Sequence, residues 1–174
     1  EDVEVLSKPE AERQALERLL PLDLLEIEVG YELVTLVDSD RDGSLLRRIT
    51  GVRRQIAQEL GMIVPPIHMR DNLRLRPGEY RFLLSGNELG RGELRVGRLM
   101  AMNPGGGPPN LEGEPCTEPA FGLAARWITP SDQERAEMLG YTVVDPATVA
   151  ATHLGELLAA NTYQLLGRKE FGDL

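Results

Sequence analysis

A chain of 174 residues, 41% hydrophobic and 27% charged, has room for one ordinary domain, or for a core domain with a small insertion, and excludes both two large domains and a wholly disordered polymer. Its net charge of -9 is uneven: residues 1–28 carry nine acids and three bases, residues 29–98 nine acids and twelve Arg, and residues 99–174 ten acids and four bases. That balance speaks against a nucleic-acid footprint, and the single Cys116 excludes an internal disulfide and any multi-cysteine zinc site.

Residues 1–22 read as a tether with one helical stretch at 9–20, where Ala15, Leu16, Leu19 and Leu20 share a face. So short a helix needs its stripe covered, either by this domain or by another chain. The alternative is a partly frayed linker. No stretch reaches the roughly 18 apolar residues that cross a bilayer. A start at Glu1 without Met and a stop just after 165–171 suggest a fragment of a longer protein.

Residues 24–37 alternate loosely around Gly30, as a strand, a kink and a short second element. Asp42-Gly43-Ser44 then supplies a cap, and Leu45, Ile49, Val52, Ile56 and Leu60 recur at helical spacing until Gly61. Arg47, Arg48, Arg53 and Arg54 fit the solvated flanks of that helix. Residues 63–70, interrupted by Pro65-Pro66, predict an edge strand or bulge. Strands at 79–85 and 88–96 are joined by Gly86-Asn87, a hairpin signal. Between Asn103 and Pro119 nine of 17 residues are Gly or Pro, which predicts a long irregular excursion. A strand at 123–128, a helix at 130–139 with Ser131 near its cap, a strand at 141–145 and a helix opened by Pro146 over 147–160 complete the order. In that last helix Val149, Leu154, Leu157 and Leu158 point inward. The mixed order predicts an α+β fold, a mixed sheet with packed helices.

Catalytic and metal chemistry find little support. Asp38-x-Asp40-x-Asp42-Gly43 opens like an EF-hand loop, but position 12 falls on Ile49, which has no oxygen to give. His68 and His153 have no ligand spacing, and Gly105-Gly106-Gly107 lacks the context of a phosphate loop. A Cys116/His153 nucleophilic pair is the one enzymatic alternative, and nothing around Cys116 lowers its pKa. No enzyme, metal, cofactor or small-molecule substrate is therefore expected. Around Glu118-Pro119-Ala120-Phe121-Gly122 a rigid turn holds one of three Phe beside the Gly/Pro loop. Phe121 either anchors the loop to the core or lines a shallow apolar dimple with an acidic rim.

Several ordered phrases resemble one family. They include Ile49-x-x-Val52-Arg53-Arg54-Gln55-x-Ala57-Gln58-Glu59-Leu60-Gly61, Pro65-Pro66-Ile67-His68-Met69-Arg70-Asp71-Asn72 and Pro119-Ala120-Phe121-Gly122-Leu123. Val144-Asp145-Pro146-Ala147-Thr148-Val149-x-Ala151-Thr152-His153-Leu154 belongs with them. Over about residues 24–170 the chain resembles the cytoplasmic part of the FlhA family of flagellar export gates, shared with virulence type III secretion. The resemblance implies a parent anchored in the bacterial inner membrane by a region preceding Glu1, with residues 1–22 as the linker and Leu16, Leu19 and Leu20 as its contacts. It implies a discontinuous first subdomain at 24–96 plus 146–165, a smaller α+β subdomain inserted at 97–145, and the start of a further one at 166–174. It implies a nine-membered ring on the cytoplasmic face of the membrane that receives flagellar export chaperones with bound substrates, and other export apparatus proteins. The docking dimple carried over from the family would use Glu118, Phe121 and Thr152, with Pro104, Val144 and Val149 as walls. Glu118 stands where Asp is frequent in the family.

Overall fold

The computed structural model describes residues 24–38, 42–61, 63–103, 105 and 111–161. Strand β1 (Leu25–Val29) sends Leu25, Ile27 and Val29 into the core and Glu26 and Glu28 to its other side. A 3-10 turn (Tyr31–Leu33) and a four-residue helix α1 (Val34–Val37) lead to α2 (Ser44–Leu60), bounded by the left-handed glycines Gly43 and Gly61. The expected side-chain cap of α2 is not made: Ser44 Oγ donates to Asp42 Oδ2, and Arg47 Nη1 donates to the Asp42 carbonyl. Only Leu45 and Ile49 of the predicted stripe are buried, and Leu60 is exposed, because α2 packs chiefly on one later helix rather than on a sheet. Arg53 is no solvated flank. Its guanidinium donates to the carbonyls of Val64 and Pro65 and so ties down the connection that the two prolines enter.

Strand β2 (Ile67–Asp71) begins after the prolines, since neither can donate to a ladder. It is followed by β3 (Glu79–Leu84) and β4 (Asn87–Glu93). The turn between β3 and β4 uses Ser85 and Gly86, with φ of 52° and 81°, one residue earlier than the sequence signal. Strands in the order β2-β1-β3-β4 form a mixed sheet, parallel between β1 and β2 and antiparallel elsewhere.

A second sheet holds β5 (Leu99–Met102), β6 (Glu114–Glu118), β7 (Leu123–Ile128) and β8 (Thr142–Val144), antiparallel throughout in the order β6-β7-β5-β8. Strand β6 lies inside the stretch that the sequence reads as irregular. Its Pro115 is tolerated because β6 is an edge strand. The helix predicted over 130–139 divides into a 3-10 turn (Pro130–Asp132) and α3 (Gln133–Met138). Helix α4 (Pro146–Ala160) starts with Pro146 after the N-cap Asp145, whose carboxylate accepts the Thr148 hydroxyl. It packs along α2 and reaches both β4 and β5. One apolar cluster therefore runs from Ile27, Phe82 and Leu84 through Val149 and Leu154 to Met100, Ala125 and Trp127. The second sheet keeps a smaller cluster of its own around Ala101, Ile128 and Tyr141.

The outer side of β1 is charged but closed. Glu28, only 4% exposed, accepts Arg70 at 3.1 and 2.7 Å on Oε2, and Arg81 at 2.7 Å and Asn72 at 2.9 Å on Oε1. Burial pushes its carboxyl up, but the donors of Asn72, Arg81 and Arg70 outweigh burial and hold it below the ordinary 4.5. Stability from this group is complete above about pH 4.5 and is lost as the pH falls through the lower folded-state value. Thermal melts should therefore drop on acidification from about pH 4.5 to about pH 3, and Glu28→Gln should flatten that drop while lowering the neutral-pH melting temperature. An unchanged acid slope would place the loss on other carboxylates.

At Gly30 an added Cβ would lie 2.1 Å from the Arg76 carbonyl oxygen and 2.6 Å from that of Pro77. Both obstacles are backbone, so Gly30→Ala is expected to cost about 1–3 kcal/mol, read as a lower denaturant midpoint at unchanged slope.

Candidate functional site

Between the second sheet and α4, a cavity of about 240 Å³ opens to the surface. The second sheet supplies Met102 from β5, Glu118 and Leu123 from the facing ends of β6 and β7, and Thr142 and Val144 from β8. Helix α4 supplies Thr148 and Val149 and, one turn on, Thr152. Phe121 hangs over the mouth from the β6–β7 loop, 60% exposed. The wall is almost wholly apolar. Glu118, Phe121, Thr152, Val144 and Val149 are thus gathered in one hollow, while Pro104, Leu16, Leu19 and Leu20 lie outside the described residues. Met102, Leu123, Thr142 and Thr148 also line it and were not singled out by the sequence, because the strand pairing that brings them together leaves no mark on local spacing.

The acidic rim expected from the sequence is absent at Glu118, which is 3% exposed. Its Oε2 accepts the Ala120 N–H and its Oε1 the Phe121 N–H, each at 2.8 Å. Hydrogen bonds to a charged acceptor contribute about 1.5–3 kcal/mol each, so the loop is held firmly against the strand end. Glu rather than Asp at this position still reaches both amides.

Behind the hollow, Tyr80 from β3 and His153 from α4 share a 2.7 Å hydrogen bond between the hydroxyl and Nδ1, both side chains buried. Phe82 packs edge-on against each ring. Burial lowers the His153 pKa, with the nearby Glu118 charge acting in the opposite direction. The imidazole is a neutral core group next to the lining residue Thr152.

Burial, with the Glu114 charge adding to it, pushes the Cys116 thiol up to about 11. Among the described residues no hydrogen bond joins Cys116 to His153, whose Nδ1 is taken by Tyr80. The two do not form a nucleophile and base. His68 lies on β2, exposed. Asp42 accepts Ser44, Asp40 lies outside the described residues, and among the described residues no group of three His, Cys, Asp or Glu could hold a metal.

The profile of the FHIPEP family matches residues 1–174. The flagellar biosynthesis protein FlhA of Bacillus subtilis is 44% identical over 169 residues, 97% of this chain but 24% of that protein. The chain thus spans about a quarter of the length of that relative. Among solved structures, the complex of CdsV and CdsO from Chlamydia pneumoniae superposes with a TM-score of 0.68 at 21% identity, over 88% of this chain and 48% of that one. The nonameric EscV cytosolic domain from the type III secretion system gives 0.53 at 17% identity, over 85% and 42% of the two chains. These two likenesses concern the fold. Matched along its whole length, the chain belongs to the FHIPEP family.

Proposed function

We propose that this chain is a docking platform of a flagellar type III export gate, and that the hollow between β5, β8 and α4 receives flagellar export chaperones carrying their substrates. The observation that carries this reading is Phe121, a large aromatic left 60% exposed at the mouth of an apolar cavity. An apolar side chain of the partner would be buried there against Phe121, Val144 and Val149, with the hydrophobic contact supplying the affinity. Nothing is chemically transformed in this reading.

The flagellar assignment leans on the 44% identity to a protein named for flagellar biosynthesis, since the virulence-type neighbours share only the fold. Likeness to a nonameric domain supports a nine-membered ring, and likeness to a chain solved with a second protein supports contacts to other export components. In a ring, repeated weak contacts raise effective concentration, so each site can release its cargo readily. The same reading places the domain on the cytoplasmic face of the inner membrane, tethered by residues 1–22. It divides the chain into a first subdomain at 24–96 plus 146–165, an inserted one at 97–145, and the start of another at 166–174.

Calorimetric titration with flagellar chaperone–substrate complexes tests the proposal. Phe121→Ala should weaken binding by about 2 kcal/mol or more with little change in melting temperature. Equal affinity for variant and wild type contradicts it, and a collapsed melting temperature would return Phe121 to the core. Thr152→Met, which fills the hollow from α4, should weaken the same binding, and undiminished affinity would place the site elsewhere.

A further inference from the structure

Every amide donor of the loop between β6 and β7 ends on a single residue. Pro119 has none to give. Ala120 N–H reaches Glu118 Oε2 at 2.8 Å, Phe121 N–H reaches Oε1 at 2.8 Å, and Gly122 N–H reaches the Glu118 carbonyl at 2.9 Å. Gly122 sits at φ 72°, a left-handed conformation that lets the chain turn back into β7, where Leu123 pairs with Glu118 itself. The loop is thus closed at both ends by one position. Its carboxylate is sealed at 3% exposure, while the side chain of Phe121, three residues on, stands 60% exposed. Both carboxylate oxygens are engaged inside the loop, and among the described residues no other charged side chain lines the hollow.

We propose that Glu118 is a positioning residue: its carboxylate staples the 119–122 loop, fixes where the Phe121 ring stands, and offers the hollow no free carboxylate oxygen, selecting an uncharged apolar anchor rather than a partner's cation. The inference rests on the docking reading above. Without the staple, the ring would sit on a loop that must be ordered at each encounter, and that ordering is subtracted from affinity. With it, the cost is met on folding. A buried carboxylate whose oxygens are occupied by backbone donors has no free face for a lysine or arginine of the partner, so removing it should not alter how binding responds to salt.

Amide hydrogen exchange on the isotopically labelled chain, together with calorimetric titration by a flagellar chaperone–substrate complex at about 50 and about 500 mM NaCl, separates the possibilities. In Glu118→Ala, exchange at Ala120 and Phe121 should quicken about tenfold or more while the amides of β1 and β3 keep their protection. Affinity should fall about tenfold, by the same factor at both salt concentrations. Glu118→Asp should recover protection and most of the affinity, because a shorter carboxylate also reaches amides two and three residues on. Glu118→Gln, which retains one acceptor oxygen, should fall between, and these two variants carry the test if the alanine variant does not fold. Unchanged exchange at Ala120 and Phe121 would overturn the staple. A deficit that shrinks at high salt would overturn the selection of an uncharged anchor and make Glu118 a charge that pairs with the partner. If exchange quickens in Glu118→Ala while both it and Phe121→Ala bind as the wild type does, the staple stands, and both the docking reading and the selection inferred from it fail.

Discussion

The architecture depends on one helix serving two sheets. The second sheet encloses only a small apolar cluster around Ala101, Ile128 and Tyr141, and the first has four strands with a charged outer side. Helix α4 follows the last strand of the second sheet and returns to α2 and β4, so that Val149 and Leu154 join Phe82 and Leu84 to Met100 and Trp127. Burial of such apolar surface is the main favourable term in folding. The hollow is a by-product of the same geometry. Helix α4 touches both β4 and β5, and the hollow lies between it, β8 and the β6–β7 loop.

Three buried polar side chains near this seam, Tyr80, His153 and Glu118, are placed in bonds. Tyr80 and His153 satisfy each other across the first sheet and α4, and Glu118 satisfies its own loop. On the far side of the first sheet Glu28 draws Arg70, Arg81 and Asn72 together. Two buried carboxylates thus do opposite work. One ties neighbouring strands through side chains, and the other orders a turn through backbone amides. Lone buried charges would cost several kcal/mol, so each site is bound to its donors.

Much of the first sheet was legible in the sequence because its signals are local. The spacing of Leu45, Ile49 and Val52 marks α2, and Pro146 marks the start of α4. The β3–β4 hairpin was legible too, although Ser85 rather than Asn87 takes the left-handed position, since the tightness of the turn is decided by pairing of Leu84 with Asn87. Strand β6 was hidden because Glu-Pro-Cys-Thr-Glu has neither apolar alternation nor β-branched density, and an edge position needs neither. Phe121 stood out in its rigid turn, and Thr152, Val144 and Val149 came from the family resemblance, but their meeting is a product of long-range pairing. The burial of Glu118 could not be read, because a carboxylate facing water and one facing its own loop have the same spelling.

The only Trp of the chain, Trp127, is 2% exposed and belongs to the cluster shared by both sheets. The protein therefore carries an intrinsic fluorophore in the core that its two sheets share. A separation of the two sheets would wet the indole and move its emission to the red, whereas fraying of the edge strand β2 would leave the spectrum still.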